Sequence, residues 1–230
     1  MAVTAFLSCI VILVGPFDRG GRAGRKIAGL WSQALLLIAG VSVHVQGLER
    51  APQGPAVYAS NHGSALDIPI CFAHLPVDFR IVHKRSLRWL PLLGQAMWVA
   101  GHIAIDRSHP FRARRSLDDA ARRIREGTSV LVFPEGTRSE DGVVHRFKRG
   151  SFALALDAGV PVVPISIAGV KELAPEGLLS LRPGVVRILV HSPVPVAGRE
   201  RDEAEAMADQ VRQIVIEGCA RLAAPDGAAE

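Results

Sequence analysis

The run Ala56-Val57-Tyr58-Ala59-Ser60-Asn61-His62-Gly63-Ser64-Ala65-Leu66-Asp67 decides how this chain folds. Ala56 to Ala59 are apolar and suit a short strand ending at Ser60. The polar, Gly63-containing turn leads into a stretch from Ala65 to Ala73 with helical spacing. Strand, polar turn and helix form the unit of an α/β sheet, and such sheets carry their chemistry at the carboxyl ends of the strands. His62 and Asp67 therefore stand at a strand edge. Within one regular helix a five-residue separation would set them about 140° apart, so they meet only across an irregular first turn, which Gly63 allows.

A histidine, with an ordinary pKa of about 6.5, can take a proton from an alcohol near neutral pH. A carboxylate on its other nitrogen fixes the tautomer and stabilises the imidazolium. The same two residues also fit a plain structural role, as a packed ring and an acid at a helix start, so the pair needs support from elsewhere in the chain.

Working outward, strands are expected at Ala56 to Ser60, Phe79 to His83, His102 to Asp106, Ser129 to Phe133, Val160 to Ile167 and Val185 to His191. Helical stretches alternate with them near Ala65 to Ala73, Pro110 to Glu126, Ser151 to Asp157 and Asp202 to Leu222. This alternation predicts an α/β fold, a mixed and largely parallel sheet flanked by helices. With 230 residues, 49% of them apolar, the chain can fill a core for one such domain. The expected division is a membrane-associated apolar helical segment over 1–46, the α/β domain over 47–222 and a flexible tail over 223–230.

The apolar run from Ala2 to Gly15 is followed by Arg19, Arg22, Arg25 and Lys26, and a second apolar stretch runs from Ile27 to Val45. The first is short of the ~20 residues a span needs. Basic residues follow it rather than precede it, which disfavours a cleaved signal peptide. Together the stretches suit a helical hairpin in one leaflet with its arginines at the headgroups, a monotopic or single-pass anchor on the cytoplasmic face. A core helix over Ile27 to Val45 is the alternative reading.

The net charge of +5 rests mainly on arginine, with lysine only at 26, 84, 148 and 171, a balance that favours anionic partners. Aromatic residues are sparse among the charges and no nucleic-acid-binding signature is visible, so a membrane surface is expected and nucleic acid is not. Cys9, Cys71 and Cys219 lack metal or disulfide spacing and read as small core residues in a reducing compartment.

Phe133-Pro134-Glu135-Gly136-Thr137-Arg138-Ser139 emerges at the end of another strand. Gly136 lets backbone approach a ligand, Arg138 can fork a phosphate, and Thr137 and Ser139 add hydroxyls. Read by itself, the run fits a strand-to-turn corner with a Glu-Arg pair equally well. Gly101 to Arg107 ends in Asp106 and Arg107, a second phosphate ligand with an acid to hold it, or a plain surface pair. Lys84 and Arg85 close a further strand end, and His145 to Arg149 add a basic turn. The G-x-S-x-G, G-x-x-x-x-G-K-[ST], G-x-G-x-x-G and H-E-x-x-H patterns are absent. Ser64 reads as a turn or cap residue rather than a nucleophile.

These blocks carry a resemblance. Asn61-His62 with Asp67 matches N-H-x-x-x-x-D, Gly101 to Arg107 resembles G-x-x-x-I-D-R, Phe133 to Ser139 matches F-P-E-G-T-R-S, and Val160 to Ile165 resembles V-P-[IV]-[IV]-P-[IV], in that order. Phe147-Lys148-Arg149-Gly150 is similar to the F-K-x-G that follows the third block. The chain resembles the 1-acyl-sn-glycerol-3-phosphate acyltransferases among the glycerolipid acyltransferases, from its N-terminal apolar segment to about Val194.

The resemblance implies His62 as general base with Asp67 as its partner. It also implies that Arg107, Glu135, Gly136 and Arg138 shape the acceptor site, where Asn61, Lys84 and Thr137 are further candidates by position, with lysophosphatidate as acceptor and acyl-CoA or acyl-carrier protein as donor. Oxyanion donors are expected among the backbone N–H groups near Gly63 or Gly136. Neither a cofactor nor a metal is implied, and the fourth block is expected to be a buried strand whose pairing Pro161 and Pro164 limit. Glycerol-3-phosphate or a lyso-aminolipid as acceptor, and a non-catalytic module binding anionic lipid, stay open as alternatives.

Overall fold

A computed structural model describes residues 2–18, 22–106, 110–174 and 180–224. Its strands are β1 (Val41–Gln46), β2 (Val57–Ser60), β3 (Phe79–Lys84), β4 (Ile103–Ile105), β5 (Ser129–Val132), β6 (Val162–Ala168) and β7 (Gly184–Val190). They form one sheet in the order β1-β7-β6-β2-β5-β3-β4. From β6 to β4 neighbouring strands are parallel, β7 runs antiparallel to β6, and β1 pairs parallel to β7. The carboxyl ends of β6, β2, β5, β3 and β4 therefore share one edge.

Helices cover both faces. Ala120, Ala121 and Ile124 of α5 (Pro110–Arg125), Phe152 to Ala158 of α6 (Gly150–Ala158) and Met207, Val211 and Val215 of α8 (Ala204–Ala223) pack on Val57, Ala59, Val130 and Val132. Leu36 of α2 (Arg22–Ile38), Ile70 to Phe72 of α3 (Asp67–His74) and Val170 and Leu173 of α7 (Val170–Leu173) pack on Tyr58, Ile81, Leu131 and Val163. Because β2 and β5 lie between these layers, every residue in them is buried, which explains their continuous apolar reading. Two further helices, α1 (Ala2–Val14) and α4 (Leu93–Val99), pack together around Val11, Ala96 and Ala100.

The expected strands and helices appear with small shifts at their ends; the N-terminal segment differs more. The stretch Ile27 to Val45 divides, with α2 ending at Ile38 and Gly40, in the left-handed region at φ +66°, turning the chain into β1. Val41, Val43 and Val45 therefore belong to the sheet. Arg25, expected at headgroups, turns inward. Its guanidinium donates to the carbonyls of Phe72 (3.0 Å), Leu75 (2.6 Å) and Val77 (3.2 Å) and lies over the Phe72 and Phe79 rings.

No helix of the described residues is long and apolar enough to cross a membrane, so the single-pass form of the anchor finds no span there. Cys9 is exposed rather than a core residue, whereas Cys71 is buried. Of the tail, α8 reaches Ala223, and residues 225–230 lie outside the described residues.

β6 is central rather than limited in its pairing. The β6–β7 register shifts by one residue between Val162↔Val194 and Ile165↔Val190, and Pro164, which has no N–H to give, sits at that shift. Its carbonyl still accepts the His191 N–H at 3.0 Å.

Candidate active site

β2 delivers Asn61 and His62 to the shared edge, and α3 begins with Asp67. Between them Ser64 forms a tight local turn, its hydroxyl accepting the Leu66 N–H at 3.3 Å and its N–H donating to Asp67 Oδ2 at 2.9 Å. That turn brings the pair together across the start of α3: His62 Nδ1 lies 2.7 Å from Asp67 Oδ2. A buried carboxylate accepts there, so the proton sits on Nδ1 and the Nε2 lone pair is left to accept one. The His62 side chain keeps 15% of its surface exposed, enough for a substrate to reach it. Gly63 keeps an ordinary φ, and a Cβ there would meet nothing within 4 Å, so the space beside the imidazole is open.

The run after β5 fixes the histidine from its other side. Phe133 stacks on the imidazole, with centroids 4.2 Å apart. Glu135 is buried and accepts the His62 N–H through Oε1 at 2.8 Å and the His145 N–H through Oε2 at 3.1 Å. The Ser139 N–H returns to the His62 carbonyl at 2.8 Å. Burial pushes the Glu135 carboxyl above its ordinary value, opposed by the two N–H groups that favour the charged form.

Two residues expected at the substrate site hydrogen-bond to the scaffold. Asn61 lies beside β6 as a strand residue would, donating from Nδ2 to the Ile167 carbonyl and accepting the Ile167 N–H at Oδ1, both at 2.9 Å. Glu135 has one backbone N–H on each oxygen and so braces His62. The Gly136 N–H is donated to the Phe133 carbonyl at 3.0 Å.

Lys84, at the end of β3, and Thr137 and Arg138, after β5, are exposed on the edge that carries His62. Gly136 sits at φ +77°, the backbone its position in this corner requires. Arg107 lies outside the described residues. Asp106, expected to hold it, is buried and pairs with Arg85 at 3.3 Å and Arg112 at 3.6 Å. Among the described residues, no group of three His, Cys, Asp or Glu side chains could hold a metal ion.

Sequence reasoning missed Phe133 as the stacking partner, the Ser139 N–H, and the His145 segment as part of the brace. Here Lys148 also donates its N–H to the Pro134 carbonyl at 3.0 Å. The F-P-E-G and F-K-x-G blocks held that signal, since a glutamate buried in a loop between two backbone segments needs two donors.

A three-layer α/β domain with an oriented, accessible imidazole at the carboxyl ends of its parallel strands has the layout in which such sheets carry their chemistry. The Acyltransferase family model matches residues 42–168, and the chain belongs to that family. It is 36% identical over 221 residues to the 1-acyl-sn-glycerol-3-phosphate acyltransferase of Chlamydomonas reinhardtii, covering 94% of this chain and 65% of that one. Against the chloroplastic enzyme of that name from Brassica napus the identity is 33%, with 94% and 63% covered. Against the human alpha form it is 33%, with 92% and 75% covered. The chain thus spans just under two thirds of the length of the first two relatives. The crystal structure of the 1-acyl-sn-glycerophosphate acyltransferase PlsC from Thermotoga maritima superposes with a TM-score of 0.79 at 29% identity, over 95% of this chain and 89% of that one.

Proposed function

We propose that the chain transfers a fatty acyl group from acyl-CoA or acyl-carrier protein to the sn-2 hydroxyl of 1-acyl-sn-glycerol-3-phosphate, giving phosphatidic acid. The observation that carries this reading is the His62 Nδ1–Asp67 Oδ2 contact of 2.7 Å, which leaves Nε2 free as a base. In this mechanism Nε2 takes the hydroxyl proton as the oxygen attacks the thioester carbonyl. The tetrahedral oxyanion then collapses, the C–S bond breaks, and the imidazolium returns its proton to the departing thiolate. Asp67 stabilises the transient imidazolium.

Lys84, Thr137 and Arg138 are the proposed contacts of the acceptor phosphate, together with Arg107. Membrane association is monotopic in this reading. α1, 13 residues and about 20 Å long, is shorter than a bilayer core. Leu13, Phe17, Leu30, Leu37 and Ile38 on the N-terminal helices and the turn after α1 are exposed, suiting one leaflet at the cytoplasmic face.

The test is thiol release from acyl-CoA and from acyl-carrier protein, with lysophosphatidate, glycerol-3-phosphate and a lyso-aminolipid as acceptors. Wild type is expected to turn over lysophosphatidate in preference, and His62→Ala to lose that turnover with lysophosphatidate affinity within a few fold. Near-normal turnover by His62→Ala would sink the general-base reading.

A further inference from the structure

We infer that the segment after β3, from Arg85 through α4, is a second membrane-inserting element, separate from the N-terminal helices, which seats the His62 edge of the sheet on an anionic lipid monolayer. This rests on the proposed lipid-acylating function.

The segment leaves the shared edge at Lys84 as a single 3₁₀ turn (Arg85–Trp89) and re-enters as α4. Its apolar side chains face outward: Trp89 is 85% exposed and Trp98 69%, with Leu90, Leu92 and Leu93 exposed between them and Leu87 just before. Such a run of large apolar groups in one short connection marks a docking surface rather than ordinary scatter. It is also a fixed shape. Gly94 fits under the Leu87 and Arg88 carbonyls, where a Cβ would come within 2.3 Å of the Arg88 oxygen. Among the described residues, Leu92 is the one non-glycine residue with positive φ, at +63°. A leucine is held there only when its surroundings enforce the turn.

The occupant follows from the chemistry of the rim. Phe79 to Ile105 contains no Asp or Glu, and Lys84 and Arg88 are exposed beside the tryptophans, with Arg85 next to them paired to Asp106. Tryptophan flanked by basic residues suits the headgroup level of an anionic leaflet. The element is continuous with the N-terminal helices: a Cβ on Gly15 would strike the Val99 side chain, and Gly24 abuts Ala100. Two apolar surfaces, on α1–α2 and on the 85–98 segment, are thus joined across one small core.

The experiment uses the full chain with W31F and W98F, which leaves Trp89 as its sole tryptophan. Vesicles of equimolar phosphatidylcholine and phosphatidylglycerol carry brominated acyl chains as quencher. Trp89 emission is expected to shift to the blue and be quenched, less so on phosphatidylcholine alone. In the otherwise native chain, W89S/L90S/L93S is expected to lower vesicle partitioning about tenfold while turnover of dispersed short-chain lysophosphatidate stays near wild type. An unquenched Trp89, beside a quenched F17W reporter in a chain lacking the native tryptophans, would confine membrane contact to the N-terminal helices and overturn the inference. A Trp89 response to acyl-carrier protein but not to vesicles would overturn it too, in favour of an acidic protein partner. Quenching is read without turnover, so a quenched Trp89 in a chain that releases no thiol upholds the membrane contact and sinks the enzymatic reading alone.

Discussion

Glu135 Oε1 receives the backbone N–H of His62 at 2.8 Å, linking the end of β5 to the residue that bears the proposed base. The other oxygen holds His145, so one buried carboxylate joins three segments. Glu135→Gln keeps the volume but can accept at only one of its two arms, leaving one buried N–H without a partner. A stability loss of about 1–3 kcal/mol is expected. Turnover should fall further than KM for lysophosphatidate rises, because the defect lies in where His62 points. A mutant whose loss is confined to acceptor KM would return Glu135 to the substrate site.

Asp67→Asn tests the tautomer. Oδ2 serves both the His62 ring and the Ser64 N–H. An amide that turns its NH2 to that position faces the Ser64 N–H with another donor and donates to Nδ1, which moves the imidazole proton to Nε2 and blocks the base; turned the other way it keeps both contacts but is neutral and cannot stabilise the imidazolium. Turnover is expected to drop about 10³-fold or more with acceptor binding little changed. Measured kcat and KM for the variant check this; a loss under tenfold would mean that the carboxylate serves packing.

Arg25 caps the last carbonyls of α3, the helix whose first residue is Asp67. Arg25→Ala leaves the Phe72 and Leu75 carbonyls without a donor, while the Val77 carbonyl keeps the Phe79 N–H at 3.1 Å, and is expected to cost on the order of 2 kcal/mol, read from denaturant melts. Arg25→Lys should recover less than half of that loss, because one ammonium cannot span three acceptors.

How much of this was legible in the sequence depends on how local each signal is. The strand–turn–helix around His62 and the strand ending at Val132 are written in contiguous apolar runs and a polar break, and both appear where the pattern sets them. β1 was hidden because Val41-Ser42-Val43-His44-Val45-Gln46, a strict period-two alternation, adjoins an apolar helix and was absorbed into its run. The bracing bonds of Asn61 and Glu135 are not legible locally, because a polar side chain beside a histidine does not say which way it hydrogen-bonds. Their partners, Ile167 and His145, are set by sheet order. Arg25 follows the same rule: an arginine after an apolar run looks interfacial until the carbonyls of α3 are placed beside it.

The pH dependence of stability follows from two histidines held neutral. His102 is pushed down to about 3 by burial first, then by Arg80, His83 and Arg123. His191 is pushed down to about 4 by burial, then by Arg221 and Arg50, against a smaller opposing pull from Glu217. A histidine lowered in the fold takes up its proton more readily when unfolded. Its contribution is therefore complete above about pH 6.5 and is lost as pH falls towards the folded value. Melting temperature is expected to decline from pH 6.5 to 4. His191→Gln, which can still donate to the Ser166 hydroxyl now 2.8 Å from Nε2, should flatten that decline. An unchanged slope in the variant would show that other groups govern it.

Arg138 tests the acceptor's phosphate site. It follows β5 on the edge that carries His62, is exposed, and makes no ion pair among the described residues, so its guanidinium is available to a ligand. Arg138→Lys keeps the charge and removes the planar fork that can meet a phosphate with paired hydrogen bonds. The apparent KM for lysophosphatidate is expected to rise about tenfold, on the order of 1.4 kcal/mol, with the donor KM little changed. Removing the acceptor's phosphate should impose a similar defect on wild type and add little to the mutant's, because both changes delete the same contact. If Arg138→Lys weakened the donor instead, or still strongly preferred the phosphorylated acceptor, the phosphate would be held by other residues of this edge, with Lys84 the first to examine.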